Sequence, residues 1–409
     1  MLTIFHFLTN IKKLYINNRI EQQDIRGLDL IELDVGCNMK IKDVSFMTNL
    51  KQLIIYGPCG IDQQGIQGLD LVVLNANNNI KIKDVSFMTS LKILFAFGPC
   101  GIDQQGIQKL DLIELHAGGN YNIKDVSFMT KLKRLSIYGS CGVDQQGIHG
   151  LDLIKLNITS NERIKDASFM TNLKKLYMSY RCGVNQKGIK GLDLIKLHVN
   201  HNKKIKNISF MTNLKKLDAR GLCGINQQSI LDLDLIELDI SYNERINDVS
   251  FMTNLKKLTI RSACEVGQKG IQGLDLIELD ISNNERIRDI SFMTNLQKLR
   301  AEGASRIKQR GIKGLNLIEL YADSNEKIKD VSFMTKLKKL RALNSCGIDQ
   351  CGIRGLNLIE LYASYNEKIQ DVSFMTNLKK LHIGGSCGIT KQGIKGLSLA
   401  FLYSYGNEK

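Results

Sequence analysis

Hydrophobic and polar positions along this chain recur with a period of 41 residues. Phe46, Phe87, Phe128, Phe169, Phe210, Phe251, Phe292, Phe333 and Phe374 keep that interval without an insertion. Each period holds two related halves, such as LIELDISYNERINDVSFMTNL at 235–255 and LKKLTIRSACEVGQKGIQGL at 255–274. In both halves L-x-x-L-x-L/I leads into a polar turn, with an apolar residue eight positions after the second leucine. Leu33, Val35 and Ile41 make one such set, and Leu53, Ile55 and Ile61 the next. The L-x-L alternation predicts a short strand with successive side chains on opposite faces. One such strand cannot bury its apolar face alone, so the coils must stack as a parallel solenoid. Leu33, Val35, Ile41, Val44, either Phe46 or Met47, and Leu50 are expected to fill one coil.

A second column repeats just after every other strand: Asn38, Asn79, Asn120, Asn161, Asn202, Asn243, Asn284, Asn325, Asn366 and Asn407. Its amides are expected to satisfy backbone groups of adjacent coils that no sheet ladder reaches. The first copy is two residues short between Phe7 and Ile20, and MLTIFHFLTNIKKL reads as a degenerate repeat, not a leader.

These units resemble the leucine-rich repeat, L-x-x-L-x-L-x-x-N/C-x-L, over essentially the whole chain. The half with NERINDVSFMTNLKKL is similar to the internalin and phosphatase-regulator type. The half with CGIDQQGIQGL is similar to the cysteine-containing units of F-box adaptors, although Cys59 follows Leu53 by six residues where that type has five. The resemblance implies an α/β solenoid: a leucine-rich-repeat horseshoe with a parallel concave β-sheet and short 3-10 or irregular convex segments. It also implies one domain over 1–409, built from about ten 41-residue double repeats, the first degenerate and the last truncated. A protein-binding adaptor is the role it suggests, without catalysis. Regulation of an enzyme as a subunit is the alternative of the same origin.

Composition narrows the chemistry. No segment reaches the ~20 apolar residues of a membrane helix. Eight of ten cysteines form one column: Cys59, Cys100, Cys141, Cys182, Cys223, Cys264, Cys346 and Cys387, with Ser305 in the remaining place. Members two coils apart lie about 9–10 Å from each other, beyond the roughly 7 Å reach of a disulfide. They are expected to be small buried thiols, which favours a reducing, cytoplasmic setting. The six histidines include no metal-ligand or catalytic spacing, and no phosphate loop or nucleophile motif is present. Neither a cofactor nor a metal is expected.

Function is expected where the copies differ. Outward strand positions near the N-terminal end, Ile54, Tyr56, Val73, Ile93, Phe95 and Phe97, make an apolar and aromatic patch suited to a protein partner. Next comes a basic column, Arg134, Lys155, Lys175, Lys196 and Lys216, on five consecutive coils. Like charges one strand apart repel, so this column invites an anionic partner. A protein partner, acidic or not, is favoured over nucleic acid; binding of nucleic acid or of an acidic membrane or protein surface through this column is the alternative, and the net charge of +15 suits each. Beyond it lysine and glutamate alternate, as cross-strand ion pairing requires. No cap is visible at either end, which leaves end-to-end self-association open.

Overall fold

A computed structural model describes residues 11–16 and 18–406. The chain divides into two compact units, Met1–His198 and Val199–Lys409. In the first, ten three-residue strands follow one another: β1 (Lys13–Tyr15), β2 (Glu32–Asp34), β3 (Gln52–Ile54), β4 (Val73–Asn75), β5 (Ile93–Phe95), β6 (Glu114–His116), β7 (Arg134–Ser136), β8 (Lys155–Asn157), β9 (Lys175–Tyr177) and β10 (Lys196–His198). The second unit holds β11 (Lys216–Asp218), β12 (Glu237–Asp239), β13 (Lys257–Thr259), β14 (Glu278–Asp280), β15 (Lys298–Arg300), β16 (Glu319–Tyr321), β17 (Lys339–Arg341), β18 (Glu360–Tyr362), β19 (Lys380–His382) and β20 (Phe401–Tyr403). Within each unit consecutive strands pair in parallel with their leucines in register, as in Leu53↔Leu74↔Leu94 and Leu258↔Leu279↔Leu299. The sheet leucines point inward, and the residues flanking them lie on the opposite face, most of them at least partly exposed.

The core of a coil contains Leu33, Val35, Ile41, Val44, Met47 and Leu50, none more than 2% exposed. Phe46 is not among them: it is 41% exposed, and the other described phenylalanines of its column lie on the surface with it. Local geometry decides between the two neighbours. The Asp43 carboxylate accepts from the Ser45 N–H (2.9 Å) and hydroxyl (2.6 Å), and the Met47 N–H donates to the Val44 carbonyl. That turn sends Val44 and Met47 inward and Phe46 outward, and flexible methionine fills the irregular space left. The expected short 3-10 segments are present. No α-helix occurs among the described residues; the cysteine-bearing coils carry only 3-10 turns such as Gln64–Ile66 and Gln105–Ile107. Two coils share each 41 residues, so no connection is long enough for a stable α-helix. The architecture is a β-solenoid.

The asparagine column behaves as expected. Asn79 donates to the Ile55 and Ile61 carbonyls of the preceding coil (3.1 and 3.5 Å) and accepts the Lys81 N–H of its own. Asn120, Asn161, Asn243 and Asn366 make the same bridges, and all nine described members are buried. Asn407 lies outside the described residues.

A glutamine ladder accompanies it that the sequence pattern does not disclose. The Gln63 side-chain oxygen accepts from the Lys83 and Asp84 N–H groups (2.9 Å each), and its nitrogen donates to the Asp84 carbonyl (2.7 Å). Gln104, Gln145, Gln268, Gln309 and Gln350 repeat the clamp. Both amide ladders close the same joint, from a cysteine coil to the asparagine coil after it. The opposite joint relies on close backbone approach. A Cβ on Gly101 or Gly106 would collide with the Ile80, Ile82 or Lys83 carbonyls, so glycine alone fits there without rearrangement.

The cysteines of the column are buried, and burial pushes the thiols of Cys100, Cys141, Cys264 and Cys346 up to about 11. They remain protonated and unreactive at neutral pH. Sγ of Cys100 donates to the Ala76 carbonyl at 3.2 Å. Ser305 breaks the series: its hydroxyl oxygen is buried without a hydrogen-bond partner.

Candidate functional site

The solvent-facing side of the first unit's sheet brings the variable residues together. Three consecutive strands, β3 to β5, present only uncharged residues: Gln52, Ile54, Val73, Asn75, Ile93 and Phe95. Ile54, Val73, Ile93 and Phe95 are half-buried there. His116 extends the patch, its ring stacked on Phe95 with centroids 4.5 Å apart. Tyr56 and Phe97 sit just past the strand ends and leave the strand rows. The Tyr56 ring occupies the place where Gly36 has no side chain. Phe97 and Tyr138 stack 5.3 Å apart, and a Cβ on Gly118 between their coils would strike the Tyr138 ring.

A neutral band follows. Glu114 binds His116 Nε2 (2.8 Å) and accepts from Arg134 Nε (2.6 Å). Burial pushes the Glu114 carboxyl up, but these hydrogen bonds outweigh it and hold the group below its ordinary value. Arg134 therefore leaves the basic column energetically, although it stands in register with it.

Lys155, Lys175 and Lys196 are aligned on β8, β9 and β10. Among the described residues none of the three has an acidic partner, unlike the other cations of their column. Lys216, in the second unit, is bound to Glu237 and also drops out. What softens the repulsion among the three is Tyr177. The Lys155 and Lys196 ammoniums each lie 5.7 Å from its ring centroid, and His198 stacks on it at 4.5 Å. Cation–π attraction of this kind contributes about 0.5–1 kcal/mol at an exposed site, too little to neutralise three charges.

The second unit's sheet face is largely self-paired. In the outer column Lys257–Glu278 (3.0 Å) and Lys298–Glu319 (3.1 Å) form pairs, and Glu360 takes both Lys339 and Lys380. Beside them lies an arginine–aspartate network the repeat pattern gives no sign of: Arg220 with Asp218, Arg261 with Asp280, Arg341 with Asp323. Small Thr259 opens a cleft of about 310 Å³ among Arg220, Asp239, Arg261, Asp280 and Arg300. Burial, with Asp218 nearby, pushes the Asp239 carboxyl up. Arg220 and Arg261 follow the strand leucine by three residues, beyond the L-x-L core of the motif, whereas Arg341 follows it by one. Their pairing depends on side-chain reach that spacing does not encode.

The Glu360 bridge has a pH signature. Hydrogen bonds from Lys380 and Lys339 lower its carboxyl to about 2. A depressed carboxyl stabilises the fold fully above its ordinary range near 4.5, and that contribution disappears as pH falls through about 2. Glu360→Gln should lower the unfolding free energy by about 1 kcal/mol at pH 7, a value reduced for solvent screening. Urea titrations of the two proteins should converge as pH drops from 5 to below 3; a constant difference would contradict the bridge.

No group of three or more histidines, cysteines or acids able to hold a metal occurs among the described residues. No helix there is long and apolar enough to cross a membrane.

No protein-family model matches the chain, and no curated protein is similar to it. Solved structures are. The functional domain of InlJ from Listeria monocytogenes, described as including a cysteine ladder, is 22% identical, with 79% of this chain and 66% of that one covered and a TM-score of 0.35. A leucine-rich-repeat protein of Leptospira interrogans is 18% identical over 94% of this chain and 87% of its own, with a TM-score of 0.31. Rad7, from its complex with Elc1 in yeast, is 16% identical over 62% and 81%, with a TM-score of 0.41.

Proposed function

With the stacked coils of a leucine-rich-repeat solenoid as its framework, we propose that this chain is a non-catalytic scaffold that binds another protein on the sheet face of its first unit. The observation that carries this reading is the row Lys155, Lys175 and Lys196. Its three cations stand one strand apart without acids, in a column where the other cations are paired. Like charges so placed destabilise the free protein, and an acidic partner removes that penalty. The uncharged patch on β3 to β5 supplies apolar area. Reduced, buried thiols suit a reducing compartment, so a cytoplasmic adaptor belongs to the same proposal.

Affinity capture tests it. Lys175→Glu/Lys196→Glu and Phe95→Ala/Phe97→Ala should each lose partners that the wild type retains, with circular dichroism spectra unchanged. Retention of every partner by both variants would refute the scaffold reading. A nucleic-acid partner would show instead as affinity that falls steeply with salt and ignores the phenylalanines.

A further inference from the structure

We infer that the first unit's sheet face is a two-anchor seat for one amphipathic helix of a partner protein, apolar toward one end and acidic toward the other. This deepens the scaffold reading and rests on it. The argument is one of spacing and backbone chemistry.

The two anchors lie on one set of in-register strands. Val73 on β4 centres the uncharged strands, and Lys175 on β9 centres the three unpaired lysines. Five strand steps separate them, or about 24 Å at 4.8 Å per step. The strands between offer no third anchor, since Glu114 is saturated by His116 and Arg134. The flanking strand β2 presents Glu32, which is tied to Lys13.

Backbone chemistry selects the form of the occupant. A segment lying across a sheet face meets side chains, not strand edges, because β3 to β9 already pair on both sides. An extended peptide there would find no ladder for its N–H and C=O groups. A helix satisfies its own backbone and needs only side-chain contacts. At 1.5 Å per residue, 24 Å corresponds to about 16 residues, or four to five turns. Charge complementarity fixes the polarity of the sequence: aspartates or glutamates over Lys155, Lys175 and Lys196, and aliphatic or aromatic residues over Ile54, Val73, Ile93 and Phe95. An electrostatic anchor alone would be salt-labile and unselective, and the apolar anchor alone would accept many greasy helices. Together they demand a distance.

The test uses the full chain and two synthetic helical peptides of equal composition, held helical by side-chain staples. In one, a Leu/Phe cluster and a Glu cluster are centred about 16 residues apart; in the other, about 8. Fluorescence anisotropy should show the long-spaced peptide binding about tenfold more tightly. Lys175→Glu and Phe95→Ala should each erase that advantage. High salt should reduce wild-type binding to the level of Lys175→Glu while leaving the Phe95 contribution intact. Equal affinity for the two peptides overturns the proposal, as does a single-stranded oligonucleotide that binds more tightly than either and is indifferent to Phe95→Ala. If the capture experiment succeeds while the peptides bind equally, the two-anchor geometry fails and the scaffold reading survives.

Discussion

Asn161→Ala should lower the unfolding free energy by about 3 kcal/mol, near the upper end of what an unsatisfied buried group costs. The asparagine is 1% exposed. Its nitrogen donates to the Ile137 carbonyl at 2.8 Å and to Val143 at 3.4 Å, and its oxygen accepts the Arg163 N–H at 2.9 Å. Alanine takes this partner from two carbonyls and two amides, the second that of Ile164, and adds a void. Because each coil contacts only its neighbours, the loss should be local as well as global. Hydrogen exchange should quicken around β7 and β8 before it does elsewhere. Asn161→Asp is the discriminating companion: it keeps the shape and the acceptor but lacks the donor and buries a charge, so it should be at least as destabilising. A loss below about 1 kcal/mol in both variants would mean the ladder sets register without contributing stability.

The opposite sign is expected at Ser305. Its hydroxyl is fully buried and unpartnered where eight other copies place a thiol. A buried hydroxyl without a hydrogen bond costs about 1–3 kcal/mol by mutational measures, whereas a thiol tolerates apolar surroundings. Ser305→Cys should raise the unfolding free energy by about 1–2 kcal/mol, part of that range. Ser305→Ala should raise it less, since it removes the polar group and leaves a small void. The site is not a perfect copy: Arg306 follows Ser305 where most copies have glycine, so some repacking will reduce the gain. Destabilisation by Ser305→Ala in urea titration would show that the hydroxyl is satisfied after all.

Which features were legible in the sequence follows from how each is encoded. The strands, the leucine core and the asparagine ladder depend on residue type at a fixed interval, and periodicity shows all three. The Phe46–Met47 choice depends on a turn that rotates two adjacent apolar residues, which a pattern of apolar letters cannot resolve. The glutamines of CGIDQQGIQGL look like ordinary polar turn residues; only their three-bond grip on the next coil reveals them as a ladder. At the candidate site, register placed Arg134, Lys155, Lys175, Lys196 and Lys216 in one column. Finding that Arg134 and Lys216 are neutralised while Lys155 and Lys196 flank Tyr177 required side-chain directions. The short 3-10 segments came from the resemblance, and about 20 residues per coil leave room for nothing longer.

The two unlike joints between coils bear on how such a gene can change length. Loss of a single coil by unequal recombination would set two cysteine coils, or two asparagine coils, face to face. The glutamine clamp would then meet the wrong backbone, and the glycines would oppose a surface that does not need them. Removing or inserting 41 codons exchanges one glycine-tight joint for an identical one and leaves every amide with its partner. Length variants of this coding sequence should therefore differ by multiples of 123 nucleotides, three for each of the 41 residues in a period. Each such step moves the unpaired lysines relative to the apolar strands by two coils or not at all.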